Sequence, residues 1–190
     1  MRIIYIICTL IFLTYLYPVK AQDAHKIFFT KKVDNPPKID GHLDDDIWKN
    51  APVATNFIQF EPYNGINPSQ KTNVKMVYSN AAIYIAAILY DKFPDSISTN
   101  LSKRDEGFDA FADLFVCIIN PFNDGINSYE FTVTASGVQN DIKHSGINAD
   151  IKWDAVWKSE AVITDIGWQV EMEIPYSALR FPKKEVQDWG

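Results

Sequence analysis

Cysteine is scarce in this sequence, which holds only Cys8 and Cys117 among its 190 residues. Cys8 lies in an N-terminal apolar segment that we expect to be removed, so the mature chain has no partner for an internal disulfide. Cys117 lies within an apolar run, and we predict a buried, unreactive thiol there. The protein must therefore be stabilised by its core, and about 170 residues are enough for one domain of ordinary stability.

Basic residues are also few: 18 lysines and arginines stand against 24 acidic residues, which gives a formal net charge of −6. Removal of residues 1–21 takes away Arg2 and Lys20 and no acid, which leaves −8. The basic residues form no stripe along the chain. This balance argues against nucleic acid and anionic membranes as partners.

Catalytic motifs are missing as well. The sequence has no GxSxG, no HExxH, no CxxC pair and no glycine loop for phosphate. Glu171 and Glu173 fall on one face of a predicted strand, about 7 Å apart. We interpret them as solvated side chains rather than as the carboxylate pair of a glycosidase. No catalytic residue is predicted, and whether the full-length protein is an enzyme stays open.

The N-terminus has the pattern of an export signal. Arg2 precedes the apolar run 3–17, and Val19-Lys20-Ala21 supplies small residues at the two positions that a signal peptidase recognises. This predicts a secretory signal peptide cleaved after Ala21. A membrane anchor is the alternative, but the run is shorter than the ~20 residues that span a bilayer. We expect an exported protein of the periplasm, the outer membrane or the medium.

The rest of the chain shows short strand patterns separated by turn signals, which predicts an all-β fold, an antiparallel β-sandwich. The predicted strands span residues 27–33, 57–60, 74–78, 83–90, 114–119, 129–134, 155–163 and 168–174. Residues 83–90 are apolar throughout, as in a strand covered on both faces. The long polar segment 94–112 is predicted to be a loop of the length that is often functional.

One stretch, IDGHLDDDIWKNAP at residues 39–52, holds three consecutive aspartates. We predict a short helix near residues 44–50, with Asp44 as its N-cap and Asp45 and Asp46 in its first turn, where negative charge is favoured. Trp48 would then point inward as a core anchor. A calcium site is the alternative, because hard cations take several oxygen ligands. Consecutive helical residues point about 100° apart, which argues against convergence on one ion.

Four stretches together resemble the family 9 carbohydrate-binding modules: PPKIDGHLDDDIWKNAP, VKMVYSNAAIYIAAILYD, DAFADLFVCIINP and GWQVEMEIPYSAL. The resemblance covers about residues 36–181. NSYEFTVTASGVQND and the final Trp189-Gly190 are similar to one branch, in which such a domain precedes a C-terminal domain of unknown function in large exported bacterial proteins. The resemblance implies a β-sandwich, bound calcium, and a polysaccharide or oligosaccharide partner.

The export signal and the resemblance together predict a division of the chain. Residues 1–21 are the signal peptide, 22–35 an N-terminal strand or linker, and 36–190 a family 9-like sandwich. The final EVQDWG has the pattern of a strand that has just begun. We therefore expect the sandwich to be incomplete at its C-terminal end, and a C-terminal domain of the same longer protein to follow it.

The sugar site of the family is an aromatic pair with polar residues beside it. By resemblance, the first tryptophan position falls on Ala110, an acidic position on Val116 and an arginine position on Thr132. The second tryptophan position falls beyond Gly190. The family's sugar-binding side chains are thus replaced at the positions that this chain contains.

Other aromatic residues take their place in our prediction. Phe108 and Phe111 flank the Ala110 position, and Trp153, in the polar stretch NADIKWDAVW, is expected to be the most exposed tryptophan. We predict Phe108, Phe111 and Trp153 as carbohydrate-binding residues, with edge packing as the alternative for each. Binding through rings alone would be weak and insensitive to salt.

The prediction for the whole chain is a non-catalytic, carbohydrate-binding-like domain that targets an exported protein to polysaccharide. Two alternatives stay open. The chain is the N-terminal part of a glycoside hydrolase whose active site lies outside it, or it is a structural or docking sandwich that has lost sugar binding. Ala110, Val116 and Thr132 favour the second of these alternatives.

Overall fold

The computed structural model describes residues 26–106 and 111–190, and it confirms the predicted β-sandwich. The predicted signal peptide lies outside the described residues. In chain order the elements are β1 (Lys31–Lys32), α1 (Asp46–Lys49), β2 (Val53–Ala54), β3 (Thr72–Tyr78), β4 (Ala82–Tyr90), β5 (Leu114–Ile119), β6 (Asn127–Thr134), β7 (Gln139–Ser145), β8 (Asn148–Asp150), β9 (Lys158–Thr164) and β10 (Gly167–Pro175). Short 3-10 helices lie at Pro94–Ser96 and Tyr176–Ala178.

One sheet has six strands in the order β1-β3-β4-β10-β9, with β2 also paired to β3. Its pairs are antiparallel except β1, which runs parallel to β3 and pairs Lys31 with Val77. The second sheet has four antiparallel strands in the order β5-β6-β7-β8. Antiparallel hairpins join β3 to β4 and β9 to β10, and all four strands overlap predicted ones.

The main core lies between the two sheets. Alternation places Tyr129, Phe131 and Val133 of β6 on the inner face, and all three are buried. Trp157 and Trp168 are 6% and 3% exposed. Burying a large apolar side chain of this kind stabilises the fold by about 1.5–3 kcal/mol.

A second, smaller core lies on the outer face of the six-stranded sheet. Trp48 of α1 is fully buried there against Tyr84 and Ala86 of β4. Residues 82–87 are buried on both faces of their strand, as their continuous apolar pattern predicted. Trp48 is confirmed as the anchor of the short helix.

The buried carboxylate of Glu171 holds this second core together. Its Oε2 accepts the backbone N–H groups of Asp40 (3.0 Å) and Gly41 (2.9 Å), and its Oε1 accepts the indole N–H of Trp48 (2.7 Å). Burial raises the pKa of Glu171, and the three hydrogen bonds oppose that rise. Gly41 has φ 81°, and a Cβ there would lie 2.5 Å from Cγ2 of Val162, so only glycine fits at this position.

The prediction that Glu171 and Glu173 share a solvated face was wrong for Glu171, which is 0% exposed. Alternation gives the side of the sheet to which a residue points, but it does not reveal what covers that side. Here the segment that contains Trp48 covers it. Glu173 remains partly exposed and accepts a 3.1 Å hydrogen bond from Lys158.

The aspartate run begins a helix, but Asp44 is not its N-cap. The N-cap is Asp45, and α1 starts at Asp46. The carboxylate of Asp45 accepts the backbone N–H of Lys38 at 2.9 Å, while Asp46 pairs with Lys49 at 2.6 Å. The predicted cap was wrong by one residue, and the contact that holds the Asp45 carboxylate comes from the backbone of Lys38, seven residues earlier.

Several strand predictions were also wrong. Of residues 27–33 only Lys31–Lys32 is strand, and residues 57–60 are not strand, whereas Val53–Ala54 is. Strands β7 and β8 were not predicted. Their sequences, QNDIKHS and NAD, are polar, because the buried positions of β7 are Asn140 and Asp141 and β8 is exposed along its length.

Cys117 is partly buried on β5. Burial raises the pKa of its thiol to about 12. The reactive thiolate is therefore scarce at neutral pH, which agrees with the predicted unreactive thiol. In residues 26–106 and 111–190, no helix has the length and apolar character needed to cross a bilayer.

Candidate functional site

Trp153 lies on the segment that passes from β8 in one sheet to β9 in the other. Its ring centroid is 5.1 Å from that of Tyr129 and 5.9 Å from that of Phe131, with interplanar angles of 49° and 70°. The ring is half-buried at the rim of the main core. One part of it thus packs on the core while another part faces solvent.

A cleft of about 390 Å³ opens beside this ring. Its lining combines two aromatic rings, three charged side chains and small residues. The lining residues are Tyr129, Lys143, Trp153, Asp154, Ala155, Val156, Ser177, Ala178 and Arg180. The volume falls within the range of small-molecule sites.

The wall that bears Trp153 is held by a buried carboxylate. Asp141 of β7 is 0% exposed at its side chain. It accepts the backbone N–H of Ala155 at 2.8 Å and the indole N–H of Trp157 at 3.0 Å. Arg104, from the long loop, donates to the same carboxylate at 2.6 Å and to the carbonyl of Ala155 at 2.9 Å. These hydrogen bonds join three segments of the chain around the cleft: the long loop, β7 and the segment between β8 and β9.

The opposite wall begins where the chain leaves β10. The backbone N–H of Arg180 donates to the hydroxyl of Tyr129 at 3.2 Å, which joins the two walls at the base of the cleft. A hydroxyl that accepts one hydrogen bond still has its own hydrogen to donate. Tyr129 can therefore offer a donor to a ligand as well as part of its ring.

A wider cleft of about 700 Å³ lies near the start of β3 and the end of β4. Its lining includes the rings of Phe57 and Tyr90, and Nζ of Lys71 lies 5.4 Å from the centroid of the Tyr90 ring. A cation at this distance occupies a ring face, so the face is not open for a sugar to stack on. The cleft beside Trp153 is the one that contains a ring predicted to bind sugar.

The other predicted rings lie elsewhere. Phe111 is 91% exposed with φ 48°, and its carbonyl accepts a hydrogen bond from the Ser98 hydroxyl at 2.7 Å. It precedes the end of β5 at which Leu114 pairs with Thr134, whereas Trp153 packs on Tyr129, about 17 Å further along β6. The structure does not bring Phe111 and Trp153 together. Phe108 lies outside the described residues, and the role of all three in binding stays a prediction.

The positions that correspond to the family's polar residues do share one face. Val116 and Thr132 are register partners on β5 and β6. They lie on the face opposite to Phe131, which Trp153 contacts, so this face and the cleft are on different sides of the four-stranded sheet. Val116 is 41% exposed and Thr132 is fully buried. An aliphatic group and a buried hydroxyl offer a sugar little polar contact.

The carboxylates of the aspartate run are not arranged around a common point where a metal ion could bind. Asp45 and Asp46 are engaged with Lys38 and Lys49, and their carboxylates do not converge. Across the described part of the chain, no group of three or more His, Cys, Asp or Glu is arranged to hold a metal ion. These residues do not fit a calcium site. Calcium binding by the domain stays a prediction of the resemblance.

The chain is thus a two-sheet β-sandwich with a tryptophan at the rim of a cleft. The model of the family described as "Carbohydrate family 9 binding domain-like" matches residues 39–188. The chain belongs to this family. A search of curated proteins gives no match to the sequence.

Solved structures support the same fold. A family 9 carbohydrate-binding module from Caldicellulosiruptor kristjanssonii in complex with glucose has a TM-score of 0.55 at 17% identity, over 84% of this chain and 74% of that one. Its complex with cellotriose gives 0.54 at 18%, over 80% and 67%. A candidate carbohydrate-binding protein from Bacteroides uniformis ATCC 8492 gives 0.58 at 14%, over 78% and 72%.

Sequence reasoning missed most of the cleft. Lys143 lies in a strand that was not predicted, and Arg180 follows the last predicted strand. Asp141 had no distinguishing local pattern, since its partners Arg104 and Trp157 are distant in the chain. Only Trp153 was found, because a tryptophan in a polar stretch is unusual.

Proposed function

We propose that this protein is an exported, non-catalytic module that binds a sugar ring in the cleft beside Trp153 and so targets a longer protein to polysaccharide. Family membership together with the half-buried ring of Trp153 at the cleft is the observation that supports this best. The C–H face of a sugar stacks on an aromatic ring, and hydroxyl groups take nearby polar partners. The Tyr129 hydroxyl and the Ser177 side chain supply such partners.

Affinity should be modest. A single ring contributes on the order of 1 kcal/mol or more through stacking and burial. A few hydrogen bonds added to this give a Kd near the millimolar range, about −4 kcal/mol. Preorganisation of the cleft by Asp141 and Arg104 favours binding, because ordering the wall has no further entropic cost.

The test is calorimetry and affinity electrophoresis of the purified protein against a panel of plant and microbial polysaccharides. Trp153→Ala should abolish retardation by the glycans that the wild type binds. Phe111→Ala tests the predicted loop ring separately. Phe60, another aromatic residue at 74% exposure, lies outside the cleft, so Phe60→Ala serves as a matched control that should bind normally.

A structural or docking sandwich is the second candidate function. Val116 and Thr132 favour it, because neither offers the charged group that the family resemblance implies at those positions. If no glycan retards the wild-type protein, this candidate replaces the first. Equal retardation of wild type and Trp153→Ala would leave sugar binding in place and remove the cleft as its site.

Export and the longer protein also belong to this proposal. The pattern of Arg2, the apolar run 3–17 and Ala21 supports export, and the family branch that the sequence resembles supports a following domain. Mass spectrometry of the protein from its native host should show a chain that begins at Gln22. An intact Met1 would contradict export by cleavage.

A further inference from the structure

The cleft beside Trp153 holds two cationic side chains without acidic partners. Lys143 and Arg180 both line it and both are exposed. No described carboxylate lies within ion-pairing distance of either side chain, whereas other basic groups such as Lys158 and Arg104 are paired. Both cations therefore line one cleft, in a chain whose net charge is −6.

The acidic residues near these cations are already engaged. Asp150, the register partner of Lys143 on β8, accepts the backbone N–H of Lys152 at 3.1 Å. Asp154, the one carboxylate in the cleft lining, pairs with Arg104 at 3.1 Å. Asp154 is thus paired within the protein, whereas Lys143 and Arg180 have no ion-pair partner among the described residues.

We propose that this cleft selects acidic sugars, with the carboxylate of a uronic acid residue bound by Lys143 and Arg180 while its ring stacks on Trp153. The guanidinium group of Arg180 presents a planar fork of donors that matches a carboxylate, and Lys143 adds a mobile point charge. The Tyr129 hydroxyl, held by the Arg180 backbone, is placed to donate to a ring oxygen or hydroxyl. A neutral sugar would leave both cations unused.

The inference rests on the proposed function and narrows its ligand class. It also changes the expected salt response. Binding through aromatic rings alone would be insensitive to salt, whereas exposed ion pairs weaken as salt screens them. Affinity for an acidic glycan should fall several-fold between about 0.05 M and 0.5 M salt.

The ligands for the test form a matched set measured by calorimetry. Trigalacturonate carries the carboxylates, its methyl ester keeps the rings and removes the charge, and galactotriose is the neutral sugar. A sulfated galactotriose tests whether any anion suffices. Trigalacturonate should bind at least about tenfold more tightly than its methyl ester, since a charge-assisted hydrogen bond contributes this much.

The variants are Lys143→Gln and Arg180→Gln, singly and together, with Trp153→Ala and the control Lys158→Gln. Each cleft cation removed should weaken trigalacturonate binding about tenfold and leave the weak binding of the methyl ester unchanged. Lys158 is an exposed lysine outside the cleft that already pairs with Glu173, so its variant should bind like wild type. Thermal unfolding of every variant checks that the fold is intact.

The outcomes separate this inference from the proposed function. Equal, Trp153-dependent binding of trigalacturonate and its ester overturns the selection of acidic sugars and leaves sugar binding standing. Charge-dependent binding that survives removal of both cations overturns the assignment of Lys143 and Arg180. Preference for the sulfated sugar over trigalacturonate overturns the carboxylate. Failure of every sugar to bind rejects both the inference and the proposed function.

Discussion

The indole Nε1 of Trp48 donates a hydrogen bond to Oε1 of Glu171 at 2.7 Å, across a separation of 123 residues. The same carboxylate accepts the backbone N–H groups of Asp40 and Gly41. One buried side chain of β10 thus fixes both the turn and the helix in the stretch IDGHLDDDIW. The stretch is a structural element whose partner lies near the other end of the chain.

Glu171→Gln should destabilise the protein by about 2–4 kcal/mol. The amide has no charge, and its NH2 group would face the N–H donors that the Glu171 carboxylate accepts. Urea unfolding measures the effect. Glu173→Gln is the control on the same strand, and its partly exposed pair with Lys158 should be worth less than about 1 kcal/mol. Equal effects of the two substitutions would contradict the role assigned to Glu171.

Asp45→Ala should cost about 1 kcal/mol, because it removes the acceptor for the Lys38 N–H at 2.9 Å. Asp44→Ala should change the free energy of unfolding by less than about 0.5 kcal/mol, since Asp44 is exposed. The comparison is made by thermal unfolding of both variants. A larger effect at Asp44 would restore it as the cap.

Arg104→Ala should lower stability by about 1–3 kcal/mol, because the buried carboxylate of Asp141 keeps two donors but loses its cation. The loop from residue 94 to 106 should also become a site of protease cleavage. Arg104→Lys keeps the positive charge but lacks the planar guanidinium group, so its stability should lie between those of wild type and Arg104→Ala. Protease resistance equal to that of wild type would show that Arg104 does not fasten the loop.

The exposed turn at Asp124 should confer acid sensitivity. Its carboxylate accepts the backbone N–H groups of Ile126 (2.8 Å) and Asn127 (2.9 Å), and the hydrogen bonds from Asn127 and Ile126 lower the pKa of Asp124 to about 2. The pKa of Asp124 is lower in the folded state than its usual value of 3.8, so the ionised carboxylate stabilises the fold at pH values above 3.8. This contribution is lost as the pH falls toward 2.

Asp124→Asn should therefore flatten the loss of stability between about pH 4 and pH 2 relative to wild type. Urea unfolding midpoints of both proteins across this range are the measurement. The difference between them should be largest near neutral pH and shrink as Asp124 becomes protonated. Parallel curves would show that Asp124 does not contribute.

The fold could be predicted because its strands bury continuous or alternating apolar residues. The runs at 83–90 and 114–119 give nearly the bounds of β4 and β5, and the turn around Gly167 gives the last hairpin. β7 could not be found in this way. Its stabilising groups are the polar side chains of Asp141 and Gln139, whose partners come from distant segments.

The candidate site was less accessible to sequence reasoning for the same reason. Trp153 was identifiable as a ring in a polar context. Lys143 and Arg180 look like ordinary surface cations until the fold places them beside that ring. The burial of Glu171 was equally hidden, because a half-apolar strand has the same pattern whether water or another segment covers its polar face.

The pairing of Glu171 with the segment at Asp40–Trp48 also has a consequence for how the chain folds. The central strand pair of the six-stranded sheet forms only when β10 pairs with β4. Until then, the indole N–H of Trp48 lacks the Glu171 carboxylate that accepts its hydrogen bond. Contacts this distant in sequence must close large loops before they stabilise anything, which places such sandwiches among domains that fold in milliseconds to seconds. During synthesis, the segment from Asp40 to Trp48 therefore lacks the acceptor of its hydrogen bonds until Glu171 has been made.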